Sequence, residues 1–247
     1  MDEEGSYENL QQIFDNIPEN FNILEEQIDI DEQLRYFEAS GKLRKLESYI
    51  PEIPENFNDL YSPDISDEKK QEILVSLALV PDVKAFRIIE NYLKKPDKHL
   101  RNWALLAYQE SRMMLHSSLL DEQQVFISTG LGGKGKKLRY CVVFIYNPFD
   151  KMLKSMEQKL LKDELIFALK NEDGEFESID FSQGFASALL LLPLKVELKE
   201  IFEKIIDECN QYGNFLSEDI ILTNVKILTR NEIVDFLNSG EGSGNDK

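Results

Sequence analysis

Between Gly130 and Arg139 the chain reads GLGGKGKKLR, the one stretch whose residue types and spacing could do chemistry. Gly130, Gly132 and Gly135 fit G-x-G-x-x-G, and Gly130 to Lys136 fits G-x-x-x-x-G-K. Both patterns hold phosphates, because glycine lets backbone N–H groups approach an anion and a following helix N-terminus adds its dipole. No helix is expected here. The next residues, KLRYCVVFIYN, are β-branched and aromatic without helical period, so they predict a strand. Lys137 stands where a P-loop needs Ser or Thr for magnesium. The dinucleotide reading fails on the same missing helix.

A glycine loop between two strands also occurs in protein kinases, but the chain has neither H-R-D nor D-F-G. The loop therefore reads as a hairpin turn whose glycines supply positive φ. Lys134, Lys136, Lys137 and Arg139 should then point largely into solvent, as a possible anion or partner contact. Elsewhere no G-x-S-x-G, H-E-x-x-H or C-x-x-C occurs, and His99 and His116 lack neighbours with metal-ligand spacing. No catalytic residue, metal ligand or cofactor is nominated.

The elements around this loop change character along the chain. Residues 1–122 predict helices, beginning with a loose N-terminus. IPENFN occurs at residues 17–22 and again at 53–58, an offset of 36 that suits a two-helix repeat or two similar loops. Between them lie a helix, a break at Gly41 and a second helix. Ser66 then caps Asp67–Val80, with Ile73, Leu74, Leu77 and Val80 as the apolar stripe. Pro81-Asp82 and Pro96-Asp97 delimit Val83–Lys94 and a third helix reaching about Leu119.

This stretch resembles a HEAT-type repeat. The features that carry the likeness are the Pro-Asp turn, the ladder Phe86, Ile89 and Leu93, and PDKHLRNWALLAYQE. The resemblance implies that Asp97, Leu100, Arg101, Ala104 and Ala107 occupy that family's second-helix positions, with both alanines at a close helix contact.

After residue 123 strands and helices alternate. Helix 149–170, with Met152, Leu153, Met156, Leu160 and Phe167 inward, is followed by an edge strand 175–181. Residues 162–181 alternatively form a hairpin. Strand 186–194 is continuously apolar, helix 196–212 is strongly amphipathic, and strand 220–228 precedes a short helix from Thr229 and a disordered tail, 239–247. With strand 139–146 the order is β-α-β-β-α-β, a ferredoxin-like split βαβ in which strands 139–146 and 186–194 should be central. The extra hairpin strand 124–129 has no evident place in it. The fold class expected is α+β, a helical HEAT-like domain (1–122) before a ferredoxin-like sandwich (123–238).

Net charge is −18, and residues 1–66 hold 4 basic against 17 acidic side chains. Such a surface repels nucleic acid and anionic lipid and steers a basic protein. Glu25, Glu26, Asp29, Asp31 and Glu32 form a candidate acidic partner patch, on or beside a helix that Leu34 and Phe37 should dock. No apolar run approaches the roughly 18 residues a membrane helix needs. The start is acidic rather than signal-like, and two cysteines make no disulfide framework, so a reducing cytoplasm is expected. The expected function is a non-catalytic cytosolic adaptor, inhibitor or immunity-like protein whose acidic helical region binds a protein. The alternatives are a regulatory ferredoxin-like domain for a small molecule or anion, and an enzyme with an unrecognised site.

Overall fold

The computed structural model describes residues 21–46, 49–120 and 125–241. The fold is mixed α+β, with seven α-helices among the described residues. The described chain divides into two compact units. One holds residues 21–24 and 28–128, the other residues 25–27 and 129–241.

The helical unit contains α1 (Ile30–Arg44), α2 (Asp67–Ala78), α3 (Val83–Lys94) and α4 (Arg101–Leu120), with short 3-10 turns at Phe57–Tyr61 and Lys98–Leu100. The starts of α1, α2 and α3 are side-chain capped. Ser66 accepts from the Lys69 N–H at 3.4 Å, and Asp82 accepts from the Lys84 N–H at 2.6 Å. Ile73, Leu74, Leu77 and Val80 are all buried, as are Ile89, Trp103, Ala104 and Ala107. The expected stripe of α2 thus holds, and Leu100 of the turn before α4 is buried along with Ala104 and Ala107 of that helix.

α1 departs from expectation twice. It runs through Gly41 without a break, because no neighbour crowds that position and a mid-helix glycine costs only about 1 kcal/mol. It also docks by a different face. Gln33, Tyr36 and Ser40 are buried, while Leu34 is 56% and Phe37 37% exposed. The reason is polar: the Tyr36 and Ser40 hydroxyls each donate to the Glu110 carboxylate at 2.7 Å.

The helical unit, expected to be all helix, also contains two short strands, of which only the one at Phe21–Ile23 was not expected as a strand. β1 (Phe21–Ile23) pairs in parallel with β2 (Val125–Ile127), so the expected strand 124–129 joins this unit rather than a hairpin with the main sheet. The two IPENFN copies also part company. Phe21-Asn22 lies in β1, whereas Phe57-Asn58 lies in a 3-10 turn, and residues 17–20 fall outside the described residues.

The second unit is built on a five-stranded antiparallel sheet: β3 (Gly133–Lys134), β4 (Lys137–Tyr146), β5 (Glu175–Phe181), β6 (Phe185–Pro193) and β7 (Leu216–Thr223). The long strands run β5-β6-β4-β7, and β3 adds a short hairpin to β4. The two most apolar strands, β4 and β6, are therefore central. β7 starts and ends earlier than the expected 220–228.

Helices α5 (Ser155–Asn171) and α6 (Leu198–Asn210) cover one face of the sheet. Phe202 of α6 meets Phe144 edge to face at 6.1 Å, and Lys162 of α5 sits over Phe176 at 5.4 Å. Residues 162–171 are thus helix, which settles the hairpin alternative. α5 buries Leu161, Leu165 and Leu169, three leucines at four-residue spacing, and leaves Met156 and Phe167 of the expected set exposed, while Leu153 is buried just ahead of the helix. α7 (Arg230–Glu241) covers part of the other face, where its Ile233 and Leu228 of the loop before it pack with Val143 and Phe185. It extends past the expected end at 238, and residues 242–247 of the expected tail lie outside the described residues.

Candidate functional site

The glycine loop is a hairpin, with Gly132 and Gly135 at φ of +66° and +61°. Its cations, however, do not all stand in solvent. Lys137 is 17% and Arg139 14% exposed, because both lie on β4 and reach across β6 to carboxylates of β5 and the turn before it. Arg139 donates to Glu177 from Nε at 2.6 Å and from Nη2 at 2.9 Å. Lys137 donates to Glu175 at 3.1 Å and Asp173 at 3.3 Å, and Lys134 reaches Glu175 at 2.7 Å. The expectation of four solvated cations fails for Lys137 and Arg139: a strand residue projects over its sheet neighbours, where β5 offers an acidic partner at the same height.

These pairs set the local titration. Hydrogen bonds from Lys134 and then Lys137 hold the Glu175 carboxyl below its ordinary range. The Glu177 hydrogen bonds raise Arg139. Desolvation works to lower Lys137, but the bonds to Glu175 and Asp173 outweigh it and the ammonium is stabilised. The loop itself faces another internal anion. Glu25 accepts from the Gly135 N–H at 3.0 Å, and the Glu25 and Glu26 carbonyls pack so closely on Gly132 that a Cβ there would come within 2.6 Å. The backbone donor that would suit an external phosphate holds one of the chain's own carboxylates.

The five acids of the expected patch are divided. Glu25 and Glu26 belong to the sheet unit. Asp29 belongs to the helical unit and caps α1, accepting from the Asp31 N–H at 2.9 Å. Glu32, on α1, accepts from Asn102 at 2.8 Å, and Asp31 lies in the first helical turn. Asp29, Asp31 and Glu32 therefore stabilise the positive end of α1, a local role for their charge.

Within the helical unit a polar cluster lies in the core. Glu110 is 5% exposed and takes the Tyr36, Ser40 and Arg44 donors together. Burial first, and then the Glu110 charge, pushes the Tyr36 phenol well above its ordinary value. Sequence reasoning missed this cluster because its members come from α1 and α4 and share no spacing. A second internal pair joins Lys70 to Asp97 at 2.6 Å, with the Tyr92 hydroxyl donating to the same carboxylate at 3.0 Å. Asp97 thereby ties the turn before α4 to α2.

Beside the polar cluster, α1 and α2 leave an open groove of about 510 Å³. Its walls are Ala39, Leu43, Leu46 and Val75, with Trp103 at the floor and Glu68, Gln71, Glu72 and Lys42 at the rim. Leu46 is 55% exposed. Among the described residues no group of three His, Cys, Asp or Glu side chains is placed to hold a metal. Both cysteines are buried, and burial pushes the Cys209 thiol up to about 12, so it is no nucleophile at neutral pH.

Comparison with known proteins adds little. No protein-family model matches the chain, and no curated protein does. A solved structure titled a "putative transposase" from Deinococcus radiodurans R1 aligns with 42% of this chain and 90% of its own, at 14% identity and a TM-score of 0.36. A likeness of that size carries no argument. No helix among the described residues is long and apolar enough to cross a membrane.

Proposed function

We propose that the protein is a non-catalytic interaction protein whose acidic helical unit binds a helical segment of a basic protein partner in the α1–α2 groove. The observation that carries this reading is the groove itself, apolar along its walls, with Glu68 and Glu72 against one lysine, Lys42, at its rim. A groove between two helices suits the apolar face of an amphipathic helix, and at the rim Glu68 suits a flanking lysine or arginine, while the exposed Glu72 also pairs with Lys69 at 3.0 Å. The 4-to-17 imbalance of basic and acidic residues in positions 1–66 adds long-range attraction for such a partner. An adaptor or an inhibitor that masks a basic protein is the form this takes, and buried free thiols suit a cytoplasmic setting.

The finer architecture belongs to the same reading. We take the helical unit as HEAT-like, supported by burial of Ala104 and Ala107 and by the anchoring role of Asp97. We take the sheet unit as ferredoxin-like, supported by the strand order β5-β6-β4-β7. A regulatory anion site is disfavoured, since Lys134, Lys137 and Arg139 are already neutralised by β5 and its preceding turn.

Calorimetric titration with a synthetic amphipathic peptide of leucine and lysine tests the proposal. Binding in the micromolar range that Leu46→Asp abolishes and that weakens in E68Q/E72Q supports it. Binding indifferent to all three substitutions, or none, overturns it.

A further inference from the structure

A second surface lies in the sheet unit, independent of the groove. β7 pairs with β4 on one side, and among the described residues no strand pairs with its other edge. An open edge offers backbone N–H and C=O groups to an incoming strand. A cleft of about 840 Å³ runs along this strand, bounded by Phe149 and by Phe236 of α7. Both rings are solvent-exposed, Phe149 by 39% and Phe236 by 59%. At the inner end lies Tyr146, whose enclosed hydroxyl has no hydrogen-bond partner among the described residues.

We propose that the β7 edge accepts an extended, basic, partly apolar peptide segment of a partner protein as an added strand. Three observations converge on that occupant. The edge supplies main-chain hydrogen bonds along Ile220–Thr223, where β7 pairs regularly with β4; in the bulge before it the Asp219 N–H is already held by the Ser217 hydroxyl at 3.2 Å. The cleft supplies apolar walls for alternate side chains, the pattern by which strand addition gains specificity. Glu218 and Asp219 on the strand are exposed and make no ion pair among the described residues, so their charge is available to lysine or arginine.

A second copy of the chain is a poorer occupant. Two-fold antiparallel pairing about the middle of Leu216–Thr223 sets Asp219 of each copy opposite Ile220 of the other and diagonal, on the same face, to the other copy's Glu218. Like charges so placed oppose pairing.

The test uses the full chain and an end-blocked peptide of alternating valine and lysine. Binding should slow amide exchange across β7, leave Trp103 fluorescence unchanged, and weaken by roughly tenfold in E218Q/D219N. Both substituted carboxylates are exposed, so the variant should melt as the parent does. Phe236→Ser, at an exposed wall, should weaken binding independently. Unchanged exchange at β7, or affinity indifferent to both variants, overturns the proposal. So does conversion of E218Q/D219N into a dimer without gain or loss of peptide binding, which would make the acids guards against self-pairing only.

Discussion

Gly130 and Gly135 share a loop and a motif, yet their substitution should have very different consequences. A Cβ on Gly130 would lie 1.7 Å from the Val225 carbonyl oxygen, where backbone meets backbone and neither can yield. Gly135 has open space around it and only its φ of +61° to protect. Gly135→Ala should therefore cost about 1–2 kcal/mol. Gly130→Ala should cost at least about 3 kcal/mol and lower the melting temperature far more, which paired thermal melts would check. Among the cations, Lys134→Ser should stay within about 0.5 kcal/mol at its exposed position. Arg139→Ser should cost more, because Glu177 then loses a two-pronged partner beside Leu131. Glu232 offers the pH test. Its hydrogen bonds from Lys226 and then Thr229 hold its pKa at about 2, against 4.5 ordinarily. A depressed acid stabilises the folded state above its unfolded pKa and loses that stabilisation as pH falls through the folded one. α7 should accordingly lose stability between about pH 4.5 and 2, and Glu232→Gln should flatten that dependence in circular-dichroism melts.

At the scale of elements, sequence patterning was legible where a single apolar stripe meets a single core. α2 and α4 follow their periodicity, as Leu74, Leu77, Ala104 and Ala107 show. So does the centre of the sheet, where β4 and β6 carry continuous apolar runs because both faces are covered. It was not legible where polar groups select the face. α1 turns Tyr36 and Ser40 inward to reach Glu110, seventy residues or more away in sequence, and leaves Leu34 and Phe37 outside. Three-residue strands such as β1 and β2 are too short for any period, so their parallel pairing is fixed by tertiary contact alone. The ion-pair ladder was hidden for the same reason: β4 and β5 meet only across β6. Two substitutions check this account of the helical unit. Glu110→Ala should cost about 3 kcal/mol, since it strands the Tyr36 and Ser40 hydroxyls and the Arg44 charge. Ala104→Leu should cost about 1–3 kcal/mol by overpacking a fully buried site. Denaturant melts would read both, and near-parental stability for either would mean that the helix faces are assigned wrongly.

For the molecule as a whole, charge is used in two ways. Where basic residues are scarce they are bound internally, as in Lys70 with Asp97 and in the ladder from β4 to β5. The remaining carboxylates give a net charge of −18 that faces any partner. The groove between α1 and α2 adds apolar area where that field would deliver a basic helix. Trp103 is the chain's single tryptophan and lies at the floor of that groove, so its fluorescence reports the site directly. Titration with the leucine–lysine peptide should shift and saturate Trp103 emission, with affinity falling as salt is raised from low to physiological levels. Emission that stays unchanged while the peptide binds, or a response that ignores salt, would contradict the assignment of the groove as the recognition surface.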